Sequence, residues 1–346
     1  MDSAIKNRLG SGRTVNRENQ NDIITQLSGF SSTMTSTPFL ALVVVVGLFA
    51  GCEKSGSNAP NESAPASAGE NARASGAGPL VVTTKSGVEM VCVPGGEFMM
   101  GNDRGNPDER PAHKVKLSAF LMDRVEVTHA MFTKAQMSDP SHWQDNPQKP
   151  VERVRWRDAK RYCDERSILE GLKPCYSEKT PDWDCDYSAN GYRLPTEAEW
   201  EYVCRAGSDG PYDFGSADKL RQYAWFAENA EQKTHPTGQK KANGFGICDL
   251  YGNVSEWCED VYSPSYYKDS PAVDPQGPAN PGKDVKRVIR GGSWKFSADQ
   301  CRATARLGER TGDTDACFST DYCGFRCVRR ARPEELKEMQ GSKTAK

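Results

Sequence analysis

Two patterns of apolar residues divide this chain. One unbroken apolar run, Phe39-Leu-Ala-Leu-Val-Val-Val-Val-Gly-Leu-Phe-Ala50, stands near the start, and from about Val81 onward apolar residues come in short pieces between Gly-, Pro-, Asn- and Asp-rich stretches. Val115-Lys-Leu-Ser-Ala-Phe-Leu121 and Arg287-Val-Ile-Arg290 read as strands. Helices are few and short. One is predicted after Thr128 as N-cap, ending before Pro140, and a second from about Arg157 to Leu169, where Ala159, Tyr162, Cys163 and Ser167 recur at helical spacing. The third has the clearest start. In Thr196-Glu-Ala-Glu199 a hydroxyl and a carboxylate can each satisfy an orphan backbone N–H, and Trp200, Val203 and Cys204 follow as its buried side.

The run ending at Ala50 is too short to cross a bilayer and is followed by small residues and a cysteine, the form of a signal-peptide apolar region. Ala50-Gly51-Cys52 resembles the bacterial lipobox, with Phe49 where leucine is usual, and Met34 offers an alternative start. The expectation is an exported protein held to the membrane by a lipid on Cys52; Glu53 after it favours the outer membrane. Ser55 to Pro79 is dominated by Ser, Ala, Gly, Asn and Pro and reads as a flexible tether. The organisation predicted is a signal segment with lipobox over 1–52, a tether over 53–80, one domain over 81–332 and a charged tail without core-facing pattern over 333–346.

With 45 basic and 47 acidic residues the net charge is -2, so no charge excess points to nucleic acid. Twelve cysteines suit an oxidising compartment. His113, His129, His142 and His235 lack zinc-ligand spacing. Gly277-Pro-Ala-Asn-Pro-Gly-Lys283 imitates a phosphate loop, but Asp284 stands where Ser or Thr should hold magnesium and two prolines remove N–H donors. Glu197 and Glu201 lie at a helix beginning, where the macrodipole favours them without any catalytic role.

The domain contains, in order, Pro94-Gly-Gly-Glu-Phe-Met-Met-Gly101, Glu126-Val-Thr128, Pro150-Val151 through Trp156-Arg-Asp-Ala159, Tyr192-Arg-Leu-Pro-Thr-Glu-Ala-Glu-Trp-Glu-Tyr202, Asn243-Gly-Phe-Gly246, Gly252-Asn-Val-Ser-Glu-Trp257, Arg290-Gly-Gly-Ser-Trp294 and Gly324-Phe-Arg-Cys327. This series resembles the formylglycine-generating, or sulfatase-modifying factor, family over nearly all of residues 85–330. The resemblance implies an irregular α+β fold related to C-type lectins, with little regular secondary structure. It also implies where an oxidase would hold copper: on two cysteines shortly after the Gly-Gly-Ser block, soft sulfur suiting Cu(I). Aligned without a gap, Cys301 falls on the second of those positions and Phe296 on the first; with a shorter loop, Arg306 matches a later family arginine and both cysteines are missing. Either way the pair is gone, and copper is not expected. Ser255 also replaces a tryptophan of the family's oxygen pocket, whereas Ser293 matches a pocket residue.

The resemblance carries three further expectations. Calcium is expected at Asp249, Glu256 and the carbonyls of Gly252 and Val254, a hard-oxygen set suited to that ion. Cys163 with Cys327, and Cys204 with Cys301, are expected as structural disulfides; Cys175 with Cys185, Cys248 with Cys258 and Cys317 with Cys323 could be stapled locally. Ser293, Trp294, Cys301 and Arg306 are expected to line a pocket open to a peptide, a glycan or an envelope protein. The function expected is that of a binding or accessory module. The alternative is an oxidoreductase converting a protein cysteine to formylglycine, its cysteine site rearranged around Cys317 or Cys323.

Overall fold

The computed structural model describes residues 78–177, 179–180, 183–279, 285–311 and 320–344. The apolar run, the lipobox with Cys52, nearly all of the tether, and Cys317 lie outside them.

Short strands and turns open the domain. β1 (Val81–Thr83) and β2 (Glu89–Val93) pair antiparallel, and β3 (Gly96–Met100) and β4 (His113–Leu117) form a ribbon of their own. β5 (Phe120–Asp123) then joins β2. The single strand predicted over 115–121 is therefore two strands in two sheets. The break has a distant cause: the backbone N–H and the hydroxyl of Ser118 donate to the two oxygens of Asp274, 2.7 Å each, and pin a corner there.

α1 (His129–Lys134) starts where predicted, with Thr128 Oγ1 accepting from Met131 N. It stops well before Pro140 because Gln136 turns to φ +60. α2 (Trp156–Glu170) ends on Gly171 at φ +74, with Gly171 N donating to Ile168 O and Leu172 N to Ser167 O, the paired bonds of a Schellman stop. After β6 (Tyr192–Arg193), α3 (Glu197–Arg205) has both bonds of its capping box, Glu199 N to Thr196 Oγ1 at 3.2 Å and Thr196 N to Glu199 Oε2 at 2.9 Å. Trp200, Val203 and Cys204 are its buried face, as the sequence pattern indicates.

β7 (Ser255–Val261), β8 (Lys286–Arg290), β9 (Arg306–Arg310) and β10 (Cys323–Gly324) form a second sheet in the order β10-β7-β8-β9. β11 (Val328–Arg330) returns to the first, giving the order β1-β2-β5-β11-β6. The last of the described strands thus lies inside the sheet begun by the first of them, and the domain closes on itself. One apolar cluster gathers around Trp200, Phe120 and Tyr267, and a second around Trp156, Tyr162, Trp257 and Phe325. Indole N–H groups tie the second cluster to the sheet: Trp156 donates to Cys258 O and Trp257 to Val154 O.

The segment expected as a tail is instead α4 (Pro333–Thr344). Its Met339 is buried, Leu336 packs beside it, and the Glu335 carboxylate is buried between the guanidinium groups of Arg329 and Arg332. The fold is an irregular α+β arrangement with few helices, as the sequence implies.

Candidate functional site

The Gly-Gly-Ser turn follows directly from β8. Gly291 and Gly292 take φ +99 and +68, and a Cβ on Gly292 would overlap the sulfur of Cys301, so glycine is required there on both counts. Ser293 and Cys301 are both fully buried. Burial pushes the Cys301 thiol up to about 12, opposed only by the Ser293 backbone N–H. Phe296, at the other expected metal position, packs its ring 5.2 Å from Tyr322. Ser255 donates its hydroxyl to Gly292 O at 2.8 Å and braces the turn from below.

Of the four residues expected to share a pocket, Trp294 alone reaches the surface, half-buried. Its indole N–H donates to Asp321 O, and its ring meets Trp143 edge-on at 5.0 Å. Lys295 places its ammonium 4.0 Å over Tyr322 and 3.5 Å from Asp321. Trp143 and the adjacent His142 donate their backbone N–H groups to Oε1 of buried Glu152, whose Oε2 has no partner. Burial raises that carboxyl to about 7.

Arg306 stands elsewhere, which corrects the expectation of one shared pocket. Its guanidinium is buried and bidentate on Glu197, 2.7 Å on each arm, and also reaches Asp108 O and Ser263 O. The β8–β9 register is the reason, since it sets Arg306 opposite Arg290, whose own guanidinium turns to Glu197 and Glu201. Two clefts, of about 200 and 210 Å³, open beside Tyr187 and Gln276, and none of the four residues lines them.

Of the two disulfide pairs expected, the structure brings one into contact and keeps the other apart. All ten cysteines among the described residues are free thiols. Cys163 and Cys327 do come together, their sulfurs 3.6 Å apart and fully buried between α2 and β11. Cys204 directs its thiol at Leu250 O, 3.9 Å away, while Cys301 lies under Gly292, so no Cys204–Cys301 bridge is formed.

The loop expected to hold calcium is built around carboxylates. Asp249, at φ +63, accepts from Gly238 N through Oδ2 while its buried Oδ1 has no partner. Glu126 accepts from Asn253 Nδ2 and Val254 N. Glu256 is held bidentate by Arg326, 2.7 Å on each arm, and by the Trp200 indole N–H. Gly252 is required, because a Cβ there would strike Trp225 O. Burial and the neighbouring carboxylates raise Glu126 far above the usual range, and burial raises Asp249 to about 6. Three buried carboxyl groups therefore lie near one guanidinium, and burial with their mutual repulsion favours the protonated form of Glu126. Among the described residues no three His, Cys, Asp or Glu side chains are placed together as a metal site, so calcium here would need Asp249, Glu256 and the Gly252 and Val254 carbonyl oxygens.

Sequence reasoning assigned no role to Glu126 and Arg326, although both lie in quoted motif blocks, because their joint action across Glu256 and Asn253 is visible only in three dimensions. Trp143 and Glu152 carry no sequence signal at all.

Residues 79–331 match the sulfatase-modifying factor enzyme 1-like domain. The serine/threonine-protein kinase pkn1 of Chlamydia pneumoniae is 34% identical over 249 residues, covering 70% of this chain and 38% of the kinase, so the chain spans well under half the length of that relative. A formylglycine-generating enzyme of Streptomyces coelicolor is 30% identical over 305 residues, covering 69% of this chain and 88% of that one. Among solved structures, Treponema denticola variable protein 1 superposes with a TM-score of 0.64 at 31% identity, covering 73% of this chain and 99% of that one. With the ordered motif blocks and the α+β architecture, these matches establish that the chain belongs to the formylglycine-generating, sulfatase-modifying factor family.

Proposed function

We propose that this domain is a binding or accessory module of the cell envelope, held at the membrane by a lipid on Cys52, and that it does not carry out copper-dependent oxidation of a cysteine. The observation that supports this reading is the state of Cys301. It is the single sulfur on the loop after Gly291-Gly-Ser293, it is fully buried, and its thiol is held in the protonated form. Copper(I) needs thiolates that it can reach, and Phe296 supplies an aromatic ring where a second sulfur would have to stand. The partner, a peptide, a glycan or an envelope protein, would meet the face formed by Trp143, Trp294, Lys295 and Tyr322, where aromatic rings and a cation lie side by side. Calcium belongs to the same proposal as a structural ion, anchored by the open oxygen of Asp249.

A competition titration with Cu(I) tests the reading. The full-length protein and its Cys301→Ser variant are expected to give superimposable isotherms, because Cys301 contributes no ligand. Loss of a stoichiometric tight site in the variant would return the chain to the oxidases.

A further inference from the structure

Besides Cys163 and Cys327, the fold brings a second pair of cysteines together. Asp186 N donates to Cys175 O at 2.7 Å, and Tyr176 faces Cys185 across an antiparallel bridge, so the backbone makes residues 175 and 185 diagonal neighbours in paired segments. The two pairs differ in access. Cys163 and Cys327 are both fully buried, whereas beside the buried Cys175 the half-buried Cys185 lines the cleft of about 210 Å³ with Tyr187 and Glu259.

We propose that Cys175 and Cys185 form a solvent-reachable dithiol that converts reversibly to a disulfide in the folded protein by exchange with external disulfides, while the Cys163–Cys327 pair does not exchange. The chemistry of the pair suits the first step. The neighbouring Cys185 and the Arg193 guanidinium favour a thiolate at Cys175, while Cys175 and burial oppose one at Cys185. The Cys175 thiolate takes the proton of Cys185, and the Cys185 sulfur at the cleft attacks one sulfur of an external disulfide R–S–S–R. A mixed disulfide forms and one R–S⁻ leaves. Cys175 then releases its proton and attacks the Cys185 sulfur, expelling the second R–S⁻. Two cysteine sulfurs give up two electrons in all, the external disulfide becomes two thiols, and those thiols take the two protons. The product fixes the cleft wall at Cys185.

The test uses the full-length protein, without denaturant, in glutathione and then in glutathione disulfide. Samples are quenched with acid, free thiols are alkylated after unfolding, and linked peptides are quantified by mass spectrometry. The 175–185 link is expected to form and to be reduced at least about tenfold faster than any 163–327 link, since exchange needs access to the attacked sulfur. Cys185→Ser is expected to remove the fast phase and leave the 163–327 signal unchanged. Equal rates for the two links, absence of a 175–185 link, or a fast phase that survives in Cys185→Ser each overturn the proposal.

Discussion

Arg290 and Arg306 face each other across β8 and β9 and share the carboxylate of Glu197. Two buried guanidinium groups can lie this close because Glu197 bridges them and Glu201, itself bonded to Arg205 and to Gly101 N, takes the outer arm of Arg290. The network ties α3 to the second sheet. Replacing one member leaves the others buried without their counter-charge, which costs more than the pair contributes. Glu197→Gln is therefore expected to destabilise the domain by about 3 to 5 kcal/mol in urea unfolding. A loss below about 1 kcal/mol would mean that the arginines find other partners.

The pH dependence of stability should carry the mark of Glu152. Its carboxyl is raised from 4.5 to about 7 by burial, so the folded state binds this proton more tightly than the unfolded chain does. Its contribution is greatest at acid pH, falls as the pH rises between those two values, and is level above. Glu152→Gln, which keeps the neutral shape, is expected to flatten that part of the stability curve; an unchanged slope would assign the dependence to other groups.

Calcium should act through the unpartnered oxygen of Asp249. At about a hundredfold excess over its dissociation constant a ligand specific for the folded state contributes about 2.7 kcal/mol. Calcium is expected to raise the melting temperature, chelator to reverse the rise, and Asp249→Ala to abolish the response. A melting temperature indifferent to both would remove calcium from the proposal.

Membrane attachment through Cys52 is open to fractionation. Wild type labelled with a lipid precursor should sediment with membranes, and Cys52→Ser should lose the label and appear unanchored. Labelling that persists in the variant would contradict the lipobox reading.

In protein exported to an oxidising compartment, the thiols of Cys163 and Cys327 should be found as a disulfide, since they already lie in contact. Cys327→Ser is expected to cost about 2 to 4 kcal/mol. Wild type isolated with both thiols alkylatable after unfolding would contradict this.

The parts of the fold written in neighbouring residues were legible. Thr196 and Glu199 announce α3 because the capping box needs only a four-residue window, and Trp200, Val203 and Cys204 then point inward by helical period. Ser118 shows where that window ends, for its partner Asp274 is 156 residues away and no local pattern marks the corner. α4 reads as polar because, among its described side chains, Leu336 and Met339 are the apolar ones on the core while Glu335 is neutralised by arginines outside the helix. Arg306 was misplaced for a related reason. Alignment to a motif assigns a position in the chain, whereas the β8–β9 register assigns the side chain to the interior. At the turn itself, the absent second sulfur was visible in the sequence, but the depth at which Cys301 is buried was not.

The most direct measurement is turnover. The full-length protein, supplied with Cu(I) and oxygen and incubated with a cysteine-containing sulfatase peptide, should leave the peptide cysteine unchanged by mass spectrometry. Conversion of that cysteine to the aldehyde, abolished by Cys301→Ser, would contradict the reading and make the chain an oxidase.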